Sequence, residues 1–187
     1  EVYKGASTWS KGHTWDEKYV CTVCHAKGKN IENVKFDVAD KRWEYTGSAI
    51  RPEITAKDGN YTLYASSDRY GKDAYKSYSN NINVGKGKVT FEGRGNYYGS
   101  TSVEFPIVPK SVETVTAGTV YSTSAIVKWD AAGGAGYYNV YMRASNAGWN
   151  KVAVTKETNA IIDNLTPNTK YSFIVESSAD VDGETYN

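Results

Sequence analysis

Asn164-Leu165-Thr166-Pro167-Asn168-Thr169-Lys170-Tyr171 is the stretch that decides the fold of the C-terminal part of this chain. A Tyr set a few residues after a Leu-Thr-Pro turn can bond its hydroxyl to the backbone upstream and lock a corner between two strands. Trp129 and the pair Tyr137-Tyr138 supply large rings where a sandwich core wants them. Turn signals recur around them at the spacing of a β-sandwich. Strands are expected at Val112–Thr116, Ala125–Trp129, Tyr137–Arg143, Trp149–Val154, Ala160–Asp163 and Lys170–Ser177. Gly133-Gly134-Ala135-Gly136 reads as a flexible loop before the third of these. Asp180-Val181-Asp182-Gly183-Glu184 lacks the spacing of a calcium loop and reads as a solvated turn. It leads to a strand that starts at Tyr186 and is cut off, so the seventh strand of a sandwich is expected to be truncated or supplied by another chain.

The residues before this module form a second β pattern. Val34-Lys35-Phe36-Asp37-Val38 alternates with period two, and Trp43-Glu44-Tyr45 follows. Ile50–Ala56 is expected as a strand pushed to a sheet edge by Pro52. Lys57-Asp58-Gly59-Asn60 is a hairpin signal, because Asp-Gly tolerates the left-handed turn conformation, and Tyr61–Tyr64 is the return strand. Residues 66–76 break the alternation and read as a surface excursion. Lys88–Glu92 and Ser102–Val108 complete the module, and Pro109-Lys110 reads as a short, semi-rigid linker. The expected architecture is therefore all-β: two small tandem β-domains at 31–109 and 110–187, after a short irregular Cys-containing segment at 1–30.

Composition narrows the function classes. Twenty-two basic and 21 acidic residues give a net charge of +1, which offers no electrostatic case for nucleic acid or an anionic membrane. No apolar run is long enough to span a bilayer. The abrupt start at Glu1 reads as a mature or excised fragment. Two His, both near the N-terminus, make a Ser-His-Asp set implausible, and Gly85-Lys86-Gly87-Lys88 lacks the spacing of a phosphate loop. The expectation is a chain that is not an enzyme.

The C-terminal residues just quoted resemble a fibronectin type III domain over nearly all of 110–187. The match rests on Trp129 on the second strand, Tyr138 on the third, Leu165 before the corner and Tyr171 as the corner tyrosine. An Arg-Gly-Asp adhesive tripeptide is absent. Residues 33–108 resemble the Tyr-Thr-Gly repeats of surface proteins of Gram-positive anaerobes. The shared residues are Tyr45-Thr46-Gly47, Pro52, Tyr78-Ser79-Asn80-Asn81, Val84-Gly85, Val89-Thr90, Gly93 and Gly95-Asn96-Tyr97. Extra residues at 66–76 depart from that pattern. His13-Thr14-Trp15 with Cys21-Thr22-Val23-Cys24 resembles the tail of a Cys-rich repeat from similar proteins, without the further upstream Cys of that pattern. These resemblances imply an extracellular or cell-surface setting of Gram-positive type, with neighbouring domains of a parent protein as the first partners.

His13, Cys21, Cys24 and His25 are the chain's soft ligands. Three readings stand open. The Cys pair and imidazole can ligate zinc, the pair can close a small disulfide or stay as thiols, or Cys21-Thr22-Val23-Cys24-His25 can attach a c-type haem. The bland expectation is that the chain carries no cofactor. Among the aromatics, most large rings have core duty, and the Tyr-rich stretch at 66–78 is the candidate ligand surface, with Tyr70, Tyr75 and Tyr78 as its residues. Function is accordingly read as a structural or adhesive spacer of a modular surface protein, with a glycan- or protein-binding module and a metal or haem module as the alternatives.

Overall fold

The computed structural model describes residues 16–38, 41–68, 71–145 and 147–187. Among them every regular element is a strand except one 3-10 turn at Ile31–Asn33. In chain order the strands are β1 (Lys29–Asn30), β2 (Lys35–Asp37), β3 (Trp43–Glu44), β4 (Thr55–Asp58), β5 (Tyr61–Thr62), β6 (Ala65–Ser66), β7 (Ala74–Ser79), β8 (Gly85–Gly93), β9 (Tyr97–Tyr98) and β10 (Ser100–Val108). They continue with β11 (Val115–Val120), β12 (Ala125–Trp129), β13 (Tyr137–Ala144), β14 (Asn150–Thr155), β15 (Asn159–Ile162), β16 (Tyr171–Val181) and β17 (Glu184–Tyr186). The all-β expectation holds. Two compact units result: one takes Arg51–Ser79, Lys88–Glu104 and the described residues before Lys41, the other takes Lys41–Ile50, Asn80–Gly87 and Phe105–Asn187.

In the first unit β2–β4–β5 form an antiparallel sheet, β1 pairs with β9 in parallel, and β7 runs antiparallel to β8 from Ala74↔Gly93 to Ser79↔Lys88. Ile31, Ala74, Val89 and Phe91 are fully buried, and the Phe36 ring packs 4.7 Å from Phe91. The Asp58-Gly59 hairpin forms as expected: Gly59 has φ +60 and Asp58 faces Tyr61. Two expectations need correction. The strand expected at Ile50–Ala56 is regular only from Thr55. Pro52 lacks an N–H for a ladder, is buried, and its carbonyl accepts the Tyr78 hydroxyl at 3.2 Å. The excursion expected at 66–76 ends early, because Ala74, Tyr75 and Lys76 already belong to β7. A lysine at an inward position hid the alternation. Its stem is buried while its ammonium reaches the Glu53 carboxylate at 3.0 Å.

The second unit holds the sandwich. One sheet has the order β11–β12–β15 and the other β14–β13–β16–β17. Alternate residues of the facing strands make the core: Ala125, Val127, Trp129, Tyr138, Val140, Ala160, Ile162, Leu165 and Val175, with the Trp129 and Tyr138 rings edge to face at 5.4 Å. The corner closes as its sequence foretells. The Thr166 backbone N–H donates to the Tyr171 hydroxyl at 2.9 Å, and Asn164 (φ 59) and Asn168 (φ 53) take the left-handed turns that Asn tolerates. The seventh strand, expected to be cut off, is present in this chain. Asp182 (φ 51) and Gly183 (φ 80) make a two-residue turn of the primed kind, so β17 begins at Glu184 and pairs with the end of β16. Asp180 lies in β16, where its carboxylate accepts Thr185 and Tyr137 hydroxyls. The first sandwich strand starts at Val115 rather than Val112, since Ser111 is held by the Glu44 carboxylate through both its N–H and its hydroxyl.

This unit also includes residues upstream of the sandwich. The end of β10 pairs in parallel with β3, Ile107 opposite Trp43, and the Trp43 ring meets Phe105 edge-on at 5.2 Å. Tyr45 sits on the loop before β13. A Cβ at Gly134 (φ +78) would fall 2.9 Å from Tyr45 Cγ and 2.7 Å from Val84 Cγ2. The loop expected to be flexible is thus a seat whose glycine is needed for both its conformation and its emptiness. Pro109 is buried, Lys110 N–H donates to Gly133 O at 2.8 Å, and Lys110 O accepts the Ser177 hydroxyl at 2.6 Å, so the stretch read as a linker is fully engaged.

Two outcomes follow from this packing. Gly134→Ala should destabilise the second unit by about 1–3 kcal/mol in urea unfolding, through its left-handed backbone and the overlap with Tyr45. Val140→Ala, at a site with no exposure, should cost roughly 2 kcal/mol in the same measurement. Gly148→Ala has open space around it and no left-handed backbone to strain, so it serves as the silent control.

Candidate functional site

The Tyr stretch was the expected ligand surface. Tyr70 lies outside the described residues. Tyr75 and Tyr78 stand on β7, half-buried, and each already has a partner on its ring: the Arg94 guanidinium lies 4.9 Å from the Tyr75 centroid, and Arg51 lies 6.0 Å from that of Tyr78. The Tyr78 hydroxyl is spent on Pro52 O. The more open rings of this region are Tyr61 and Tyr64, at 47% and 57% exposure. Sequence reasoning passed over both, since their strand-like setting gave no sign that they face outward.

Beside them lies a polar cluster that no motif announces. Asp73, only 2% exposed, accepts the Tyr61 hydroxyl and the Tyr64 N–H, each at 2.8 Å. Asp58 accepts the Lys29 ammonium and, at 3.0 Å, the Tyr97 hydroxyl. Lys29 and then Tyr97 hold the Asp58 carboxyl below its ordinary value. Asp73 raises Tyr61, and burial followed by Asp58 pushes the Tyr97 hydroxyl well above the usual phenol range. Protonated phenols donating to two carboxylates brace the Asp58-Gly59 hairpin against β9. The carboxylates are consumed by these bonds, and the arrangement is a brace rather than an acid–base pair.

The Cys segment is a hairpin. Val20 and Lys27 bridge antiparallel, Cys21 N–H donates to Ala26 O, and His25 N–H returns to Cys21 O, both at 2.9 Å. His25 makes the turn with φ 55. Cys21 is buried and its sulfur accepts the N–H groups of Val23 and Cys24, each at 3.4 Å, while Cys24 is exposed. The Tyr19 ring stacks on Tyr98 at 3.7 Å with 6° between planes and fastens the hairpin to β9. Of the four soft ligands, Cys21, Cys24 and His25 therefore share one turn, and His13 lies outside the described residues. No cluster of three or more His, Cys, Asp or Glu suited to a metal ion occurs among the described residues.

On the outer face of β14–β13–β16–β17 a shallow groove is lined by Tyr137, Asn139, Lys151, Val154 and Asp180. The Lys151 ammonium lies 5.5 Å from the Tyr141 ring centroid. Asn139 Nδ2 donates to Ser178 Oγ at 2.9 Å and to the Glu176 carboxylate at 3.2 Å, closing the floor of the groove. No helix among the described residues is long and apolar enough to cross a membrane.

None of the curated proteins matches the chain. Among solved structures, it is similar to the crystal structure of FN3tt, with 26% identity over 43% of this chain and 86% of that one, and a TM-score of 0.36. Titin kinase with its flanking domains matches at 27% identity over 43% of this chain and 15% of that one, with a TM-score of 0.36. A segment of two fibronectin type-III domains from chicken tenascin matches at 15% identity over 57% of this chain and 62% of that one, with a TM-score of 0.45. The family model of the fibronectin type III domain matches residues 110–186, the same residues that form the seven-stranded sandwich, and this part of the chain is a fibronectin type III domain.

Proposed function

We propose that this chain is a non-catalytic structural or adhesive spacer of a modular secreted or cell-surface protein. The observation that carries the reading is the way residues upstream of the fibronectin type III domain share its compact unit. Tyr45 fills the Gly134 seat, Glu44 holds Ser111, and the Lys86 ammonium pairs with the Glu184 carboxylate at 2.5 Å. Where a free tether would leave its backbone to solvent, Pro109-Lys110 is buried or hydrogen-bonded on both sides. A module that must hold its neighbours at a set position benefits from such a stretch. Its partners would be the adjoining domains of a parent protein, and the Tyr-Thr-Gly resemblance of residues 33–108 supports a Gram-positive surface as the setting.

Limited proteolysis and a binding screen test this together. Trypsin under native conditions should spare Lys110, and any signal on glycan or host-protein arrays should be unchanged by Tyr64→Ala and Tyr75→Ala. Early cleavage after Lys110 would defeat the spacer reading. Saturable binding that is lost on Tyr64→Ala or Tyr75→Ala would replace it with a ligand-binding module.

A further inference from the structure

The outer face of the four-stranded sheet of the sandwich sorts its charges by strand. β13 and β14, with Lys156 directly after β14, hold Arg143, Lys151 and Lys156 and no acid. β16 and β17 hold Glu176, Asp180 and Glu184 and no base. Tyr138, Val140 and Val175 face the core, so Arg143 on β13 and Glu176 and Asp180 on β16 face outward. Lys151 stands opposite the outward Tyr141, and Lys156 and Asp180 both line the shallow groove. These charges are not balanced among the described residues. The Arg143 guanidinium lies 4.7 Å from the Trp149 ring centroid and the Lys151 ammonium 5.5 Å from that of Tyr141, so both rest on rings. Neither they nor Lys156 makes an ion pair among the described residues. Glu176 accepts the Asn139 and Asn187 side-chain amides, and Asp180 accepts the Tyr137 and Thr185 hydroxyls. Those donors are neutral and leave each carboxylate its charge. Glu184 is already paired with Lys86, and Arg42 on that side donates to Asn187 O rather than to either carboxylate.

We propose that this face binds the same face of a second copy of the chain, with β14 of each copy over β16 of the other. A wholly acidic or wholly basic partner would meet repulsion on one half of the face. A two-fold axis lying along the strands sets each basic half over the other copy's acidic half. An axis across the strands would set lysine over lysine, so the charges select the first arrangement. Lys156 then falls near Asp180 of the other copy, and Lys151 near its Glu176. Val154 and Ile174, 60% and 46% exposed, add apolar area. Four strands about 4.8 Å apart, rising about 3.4 Å per residue over the eight residues of β13, offer on the order of 500 Å² per copy. That is below the roughly 800 Å² per partner of a standard interface, so the dimer is weak and salt-sensitive.

Sedimentation velocity of the full chain, from micromolar to millimolar concentration, is the experiment. At low salt the sedimentation coefficient should rise with concentration from monomer towards dimer, and high salt should return it to monomer. Lys156→Glu and Asp180→Lys, both at exposed positions, should each weaken association by about tenfold or more, because each sets like charges against each other. An equimolar mixture of the two variants should associate again. In the mixed pair the two introduced charges oppose each other, and the second contact keeps the native Lys156 and Asp180. Far-ultraviolet circular dichroism of each variant separates a lost contact from a lost fold, and recovery in the mixture does so independently. A chain that stays monomeric at every concentration at low salt would overturn the proposal, leaving the basic half open to an anionic ligand. So would a dimer that is indifferent to salt and to Lys156→Glu, or two folded variants whose mixture associates no better than either alone.

Discussion

The ladder between β13 and β16 is the constraint on which the sandwich depends. It runs unbroken from Tyr137↔Ser178 to Ala144↔Tyr171. Because side chains alternate across a strand, this one register decides which residues face inward. It sends Tyr138, Val140 and Val175 to the core and leaves Tyr137, Asn139, Tyr141 and Ile174 on the opposite face. At one end the ladder delivers Tyr171 to the corner, where its hydroxyl takes the Thr166 N–H. At the other it extends β16 to Val181, so that the Asp182-Gly183 turn can fold β17 back onto it. A slip of one residue would put Asn139 and Glu176 into the apolar interior, at a cost no other pairing in the unit offsets.

Small residues then decide what can approach the sandwich. Gly134 leaves room for Tyr45 and Val84, and a Cβ at Gly87 would overlap the Phe105 ring. Neither glycine marks a loose segment. Each is a gap filled by an aromatic or branched side chain distant in sequence. The same logic of local satisfaction governs the polar brace around Asp58 and Asp73. There tyrosine hydroxyls meet every carboxylate that burial would otherwise penalise, and the Asp58-Gly59 turn is held through its side chains as well as its backbone.

Much of this was legible in the chain itself. The core rings Trp129 and Tyr138, the corner at Tyr171, the Asp58-Gly59 hairpin and the strand Ala125–Trp129 are local patterns, readable because alternation and turn chemistry need only a few neighbouring residues. The errors arose where a residue's inward or outward role depends on a distant partner. Lys76 looked like loop because its ammonium needs Glu53 to permit its stem in the core. The last strand looked cut off after a start at Tyr186 because three residues, Glu184–Tyr186, carry almost no pattern, and their pairing with Ala179–Val181 is what makes them a strand.

By itself, then, the sequence determined an all-β chain with a sandwich at its C-terminal end, and singled out the two cysteines as its distinctive chemistry. Tertiary structure decided the rest. It showed that the apparent linker is a hydrogen-bonded part of the second unit, that Tyr75 and Tyr78 already have guanidinium partners while Tyr61 and Tyr64 are the open rings, and that the Cys21 sulfur sits under two N–H groups. The physical reason is the reach of the interactions involved. Strand period and turn preference act over a few residues, whereas burial, ring stacking and the convergence of donors on one atom exist only once segments far apart in the chain have met.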